Sequence, residues 1–220
     1  MNIEKILSGM LVIHIAGGTV ALMSGLVAML SLKGSKTHRL AGKIYFWAMT
    51  AVFIGALFTA IGHSKDFLLM VAFFSYYMTV RGYRVLYLKK LYQGQKAQPL
   101  DWFITIISGA FVLSLLAWGT WAIWNGFGMG IVAMAFGLTG MSFFISDVNR
   151  FFNPPKEKMH WWYGHISSMG GSYISAVTAF VVVNVQLPQF QWMLWILPGI
   201  IGGILIGRTI RKYKVQFAIS

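Results

Sequence analysis

Histidines are the side chains in this sequence with the clearest capacity for chemistry. His14 falls inside the first apolar stretch, His38 precedes the second and His63 ends it, and His160 and His165 flank the start of the sixth. Imidazole is the commonest protein ligand of metals, and it also binds haem iron. The chain has no cysteine, which excludes disulfides, thiolate nucleophiles and iron–sulfur clusters.

The depth of each histidine along its helix indicates which of them could share one iron. Two axial ligands must reach a haem from similar depth. His38 and His165 fall on the same side, about one turn or less apart, and we predict this pair as the ligands of a haem b. His14 and His63 differ by ~12 Å in depth and are a poor pair. His165 would also need an acceptor for its second N–H, either Asp147 or a backbone carbonyl.

The same histidines also have interpretations that involve no cofactor. His38 and His160 lie among basic loops, where an imidazole can meet lipid headgroups. His14 can be a buried histidine that bonds a neighbouring hydroxyl, for which Thr178 and Tyr173 are candidates. An ionisable group inside a membrane is nevertheless a functional candidate by default.

Arg81 is a cation in the inner half of the third apolar stretch, with Tyr77 and Arg84 on the same helical face. One interpretation is that Arg81 snorkels to a lipid phosphate. The other is that it holds an anionic ligand such as a haem propionate, a quinone headgroup or a lipid phosphate. Arg39 could assist in binding propionates through charge-assisted hydrogen bonds.

Acidic residues are scarce, and all of them fall in loops or near the ends of predicted helices: Glu4, Asp66, Asp101, Asp147 and Glu157. Because none is predicted at mid-membrane depth, the carboxylate relays of proton pumps are disfavoured. The sequence contains no metalloprotease, nucleotide-binding or nucleophile-elbow motif. It therefore assigns no enzymatic activity.

The elements that must position these side chains are membrane-spanning helices. Of the 220 residues, 57% are hydrophobic and 10% are charged, whereas a soluble domain carries about 25% charged residues. A spanning helix needs about 20 apolar residues. Seven stretches qualify: 6–32, 40–62, 67–88, 103–124, 127–146, 163–185 and 192–210. We predict an all-α polytopic protein in which residues 1–220 form a single transmembrane domain, one bundle of seven helices.

The basic residues predict the orientation of this bundle. Lys5 and Lys65 fall on one side, and the other 16 of the 18 fall on the opposite side: Lys33, Lys36, Arg39, Lys43, Arg81, Arg84, Lys89, Lys90, Lys96, Arg150, Lys156, Lys158, Arg208, Arg211, Lys212 and Lys214. Positive charge marks the cytoplasmic face, so we expect the N-terminus outside and the C-terminus in the cytoplasm. The net charge of +13 then reflects loops against anionic lipid headgroups. Without a nucleic-acid motif, nucleic acid is not an expected partner.

Small residues recur at four-residue spacing in two of the predicted helices. The first contains Gly17, Ala21 and Gly25, and the seventh contains Gly199, Gly203 and Gly207. Such stripes let helix backbones approach closely. We expect close packing inside the chain, with a homo-oligomer through these stripes as the alternative. Most tryptophans fall at the predicted membrane interfaces, but Trp47 and Trp118 do not.

Three runs of residues carry a resemblance to a known family. They are His14-Ile15-Ala16-Gly17-Gly18, the block from Lys33 through His38-Arg39 to Tyr45, and the run from His165 through Tyr173 and Thr178 to Asn184. These runs are similar to the bacterial membrane-protein family catalogued as domain of unknown function 2306. The resemblance implies a polytopic fold in the bacterial inner membrane. It does not indicate any particular activity. Tyr45, Tyr173, Thr178 and Asn184, which lie in these runs, are further polar site candidates.

Three functions are compatible with these observations. The first is a haem-associated membrane redox protein that uses His165 and His38, by analogy with b-type membrane cytochromes. The second is a transporter or small-molecule binder in which His14 and Arg81 line an internal polar cavity. The third is a non-catalytic accessory subunit that assembles through the glycine stripes.

Overall fold

The computed structural model describes residues 3–219, and this part of the chain contains seven long helices and no strand. The helices are α1 (Ile3–Leu30), α2 (Lys36–Gly62), α3 (Asp66–Arg84), α4 (Pro99–Trp124), α5 (Met129–Phe152), α6 (His160–Asn184) and α7 (Gln191–Ile219). Two short 3₁₀ turns, Val85–Tyr87 and Leu91–Gln93, lie between α3 and α4. The prediction of an all-α protein is confirmed.

Six of these helices are long and apolar enough to cross a membrane. The exception is α3, which has 19 residues and carries Asp66, Arg81 and Arg84 together with several tyrosines. Its sequence is therefore less apolar than that of the other helices. The described part of the chain has the make-up of a multi-pass helical membrane protein.

Local signals in the sequence mark most helix ends correctly. Asn125-Gly126 separates α4 from α5, with Gly126 in the left-handed region at φ 76°. The α5 helix continues past the predicted end at 146 and ends at Phe152, just before Asn153-Pro154-Pro155, because proline cannot continue a helix. The predicted start of the second helix was late: α2 begins at Lys36, and the Ser35 hydroxyl accepts a hydrogen bond from the His38 backbone N–H. His38 thus lies inside the first turn of α2 rather than before it.

The chain divides into two compact units, the first ending at Tyr76 and the second beginning at Tyr77. In the first unit, α1 packs along α2 through small residues. A Cβ atom at Gly55 would lie 2.6 Å from the Met10 carbonyl oxygen, and one at Gly17 would lie 3.1 Å from the Ala48 carbonyl oxygen. Ala21 is fully buried. The expectation that the α1 stripe packs inside the chain is confirmed.

The second unit contains the end of α3 and helices α4 to α7. Here α4 and α5 approach closely at glycines that we did not single out from the sequence. A Cβ atom at Gly130 would lie 2.7 Å from the Ile123 backbone nitrogen, and one at Gly137 would lie 2.6 Å from a methyl group of Leu116. In this unit α6 also packs against α7.

The glycine stripe of α7 does not pack inside the described part of the chain, so that expectation is wrong. No atom lies within 4 Å of a Cβ built at Gly199, Gly203 or Gly207. The adjacent Gly202 faces α6 instead, where a Cβ would overlap the Ile174 side chain. The contacting face of α7 is therefore rotated away from the stripe. Assembly of a homo-oligomer through this stripe stays a prediction.

Candidate functional site

A cluster of buried charges joins four helices of the second unit. The last turns of α3 supply Tyr77, Arg81 and Arg84, which follow one another at helical spacing and so share a face. The first turn of α4 supplies Asp101, and the last turns of α5 supply Asp147 and Arg150, while α6 contributes Ser168. We call these seven residues the arginine cluster.

Asp147 is the centre of the first half of the cluster. Its Oδ1 atom accepts a hydrogen bond from Arg81 Nε at 2.7 Å and forms an ion pair with Arg150 Nη2 at 3.0 Å. Its Oδ2 atom accepts a hydrogen bond from the Tyr77 hydroxyl at 2.8 Å. Arg81 also donates to the Ser168 hydroxyl and to the Ser146 hydroxyl. Asp147 is 2% exposed, so the contacts of its carboxylate are made away from solvent, whereas Ser146 is exposed.

Asp101 forms the second half of the cluster. Arg84 donates to both of its carboxylate oxygens, from Nε at 2.8 Å and from Nη2 at 3.2 Å. This is the bidentate geometry that matches a guanidinium to a carboxylate. Asp101 also accepts the Gln98 backbone N–H at 2.9 Å, which caps α4. One carboxylate therefore fixes the start of α4 and the end of α3.

The two halves of the cluster border a small cavity. Tyr77, all three arginines, both aspartates and Thr105 are among its lining residues. The cavity measures about 10 Å³, which is roughly the space that one water molecule occupies. Arg150 reaches this cavity, and its Nε atom is buried without a hydrogen-bond partner among the described residues. The site has room for a water-sized group and for nothing as large as a macrocycle.

Arg81 was expected either to snorkel or to hold an anionic ligand. Snorkelling is wrong, because Arg81 is 5% exposed and its guanidinium lies in the protein interior. Its nearest anion is the carboxylate of Asp147 on α5. Asp147 was expected near a helix end, and it lies five residues before the last residue of α5.

The chain matches no protein-family model, and comparisons with curated proteins and with solved structures give no significant match. The resemblance to the family of unknown function therefore stays a prediction.

Three of the histidines each bond a backbone carbonyl of another helix. The Nδ1 atom of His14 lies 2.9 Å from the Val52 oxygen, and that of His38 lies 2.9 Å from the Ala28 oxygen. The Nδ1 atom of His165 lies 2.8 Å from the Gly82 oxygen. The hydroxyl partner expected for His14 is thus replaced by a carbonyl. Of the two acceptors proposed for the second N–H of His165, the backbone carbonyl is the one that lies within hydrogen-bond distance. Asp147 instead pairs with Arg81 and Arg150.

This bonding bears on the haem hypothesis in two ways. A bond at Nδ1 fixes the ring orientation, as it does in many metal-binding histidines. The same hydrogen bond also explains each histidine without any cofactor, as a structural residue that links two helices. His38 belongs to the first unit and His165 to the second, and the described residues contain no group of three or more metal-ligating side chains. A haem between His38 and His165 stays a prediction.

The remaining polar candidates are dispersed along α2 and α6. Arg39 is exposed and Tyr45 is 4% exposed, both on α2. On α6, the Thr178 hydroxyl donates to the Ile174 carbonyl of its own helix, and the Asn184 side chain donates to the Phe180 carbonyl. Tyr173 is half-buried. In the second unit, Tyr173, Thr178 and Asn184 are not part of the arginine cluster.

Proposed function

We propose that this chain is a multi-pass membrane protein that binds a small inorganic anion at the arginine cluster, as part of an anion transport activity. Arg150 carries the proposal, because its Nε–H is buried beside the cavity with no acceptor among the described residues. A buried donor without a partner costs about 1–3 kcal/mol, and more when the group is charged. An anion in the cavity would supply the missing acceptor.

The charge of the cluster supports the same ligand. Three guanidinium groups, of Arg81, Arg84 and Arg150, face the two carboxylates of Asp101 and Asp147. One positive charge is left without a counterpart in the cluster. An uncompensated buried charge costs several kcal/mol in a low-dielectric interior. A bound anion removes this cost, whereas a bound cation would add to the net positive charge.

The size of the cavity selects the class of anion. A volume of about 10 Å³ accommodates one water-sized particle. This favours a monatomic anion such as chloride over an organic acid or a phosphate headgroup. The proposal develops the transporter interpretation of the sequence, with Arg81 in the site. His14 bonds Val52 in the first unit and has no role in it.

Chloride should stabilise the purified protein in detergent when it replaces gluconate at constant ionic strength. Above the Kd, the unfolding temperature should rise steadily with the logarithm of the chloride concentration, since a ligand at 100 times its Kd stabilises by about 2.7 kcal/mol. Arg150→Gln removes the unpaired donor and should abolish the chloride response. Arg208→Gln, which removes an exposed cation of α7, should retain it.

Two further measurements keep this test decisive. Radiolabelled chloride should bind wild-type protein with a stoichiometry near one, which does not depend on how well Arg150→Gln folds. Equal stabilisation by chloride and gluconate, or no saturable chloride binding, would refute the anion site. Saturable binding without chloride uptake into proteoliposomes would refute transport while leaving the site intact.

We also infer that all seven helices span the bacterial inner membrane, with the N-terminus outside. This orientation is supported by the distribution of basic residues, 16 of which fall on the predicted cytoplasmic side and two on the opposite side. The α3 helix is less apolar than the rest. Its two arginines are nevertheless neutralised by Asp147 and Asp101, which lowers the cost of placing them in a membrane.

A reporter that is active only in the cytoplasm tests this topology. Fused after the C-terminal residue of the chain, it should be active, and fused before the N-terminal residue it should be inactive. A reporter in the loop between α3 and α4 should be active as well. Activity at both termini would mean an even number of spans and would contradict a bundle of seven spanning helices.

A further inference from the structure

The first unit contains an open groove between α1 and α2 that the proposed function does not use. Its volume is about 670 Å³, within the range of sites that bind small molecules. Ile13 and Val20 of α1 form one wall, and Ile44 and Trp47 of α2 form the other. We call this feature the α1–α2 groove.

Small residues create the groove. Gly17 lies on its floor, where a Cβ atom would come within 3.1 Å of the Ala48 carbonyl oxygen. The two helix backbones are therefore nearly in contact, and the larger side chains on either side stand above them. Trp47 is 67% exposed, although it is the largest side chain of the wall. It is one of the two tryptophans that do not fall at the predicted membrane interfaces.

Only one end of the groove is charged. Lys43 is exposed and belongs to its lining. Lys36 and Arg39 precede Lys43 on the same face of α2, at helical spacing, and both are exposed. The α2 helix contains no acidic residue, and its N-terminal end adds the positive end of the helix dipole. The α1–α2 groove is therefore apolar along its length and positively charged at the end near Lys43.

We propose that the α1–α2 groove is a binding site for one anionic glycerophospholipid. An acyl chain lies along the floor beside Trp47, and the phosphate lies at the rim formed by Lys43 and Arg39. From Ala51 to Lys43 the groove extends about 12 Å, which is several methylene units of a chain. Each surface cation favours an anionic over a zwitterionic headgroup. This site lies in the first unit and is independent of the arginine cluster.

Quenching of tryptophan fluorescence by brominated lipids tests the proposal in proteoliposomes of phosphatidylcholine. Brominated phosphatidylglycerol at low mole fraction should quench the Trp47 emission several-fold more than brominated phosphatidylcholine at the same fraction. The Trp47 emission is the difference between wild type and Trp47→Phe. Lys43→Gln should reduce the preference about fivefold, as expected for one surface cation. Lys65→Gln, which removes an exposed cation after α2, should leave it unchanged.

A second variant tests the shape of the groove rather than its charge. Ala16→Leu fills the floor from an exposed position and should lower the quenching by both lipids. Native mass spectrometry of the same proteins should find one retained phosphatidylglycerol in wild type and none in Ala16→Leu. Equal quenching by the two lipids in wild type, or an unchanged preference in Lys43→Gln, would overturn the proposal.

Discussion

Asp147→Asn is expected to destabilise the protein by about 3–5 kcal/mol, the usual cost of removing one partner from a buried ion pair. The substitution keeps the size of the side chain and an oxygen for the Tyr77 hydroxyl. It removes the negative charge that Arg81 and Arg150 share. Two guanidinium groups would then face each other in the interior without a counter-charge. The free energy of unfolding in mixed micelles measures the loss.

Asp66→Asn is the matched control, because Asp66 is an exposed aspartate in the first turn of α3. We expect it to change stability by no more than about 0.5 kcal/mol. The double variant Arg81→Met with Asp147→Leu should be more stable than Asp147→Asn, since it removes opposite charges together. If the Asp147→Asn and Asp66→Asn variants had equal free energies of unfolding, the burial of the arginine cluster would be contradicted.

Gly55→Ala is expected to destabilise the first unit by about 1–3 kcal/mol, the usual cost of overpacking a tight contact. The added Cβ would lie 2.6 Å from the Met10 carbonyl oxygen and 2.8 Å from the His14 Cβ. Because the carbonyl belongs to the backbone of α1, the whole helix must move. That movement also strains the bond between His14 and the Val52 carbonyl.

Gly42→Ala is the control for this substitution. It makes the same chemical change on the same helix, and no atom lies within 4 Å of a Cβ built at Gly42. Alanine is the better helix former, so Gly42→Ala should be neutral or slightly stabilising. Thermal unfolding of both variants in detergent measures the difference. Equal unfolding temperatures would show that α1 and α2 do not pack as closely as described.

The amino-acid sequence by itself determined the helices of this protein and most of their ends. Long apolar stretches identify the helices because hydrophobic length is a local property. The turn at Asn125-Gly126 and the end of α5 before Pro154 are equally local, since they depend on the backbone freedom of one or two residues. Most of the larger boundary errors arose where polar residues continue a helix past its apolar part, as at Lys36 to Arg39, at Asp147 to Phe152 and at Arg211 to Ile219. The end of α3 was instead predicted too late, at 88 rather than at Arg84.

Only the tertiary structure decided which residues meet. Arg81 and Asp147 are 66 residues apart in the chain. Sequence spacing indicates that Tyr77, Arg81 and Arg84 share a face, but it does not say which helix that face meets. The pairing of Asp147 with Arg150 was readable as an i, i+3 pair, whereas the pairing of Arg84 with Asp101 was not.

The two glycine stripes illustrate the same limit. Gly17 in α1 and Gly203 in α7 belong to stripes of small residues with the same four-residue spacing, yet the first packs against α2 and the second has no neighbour within 4 Å of a Cβ in the described part of the chain. Periodicity defines a stripe within one helix. The rotation of that helix depends on the neighbours that its other faces contact, such as Ile174 beside Gly202. Such contacts join distant parts of the chain, and no local pattern in the sequence contains them.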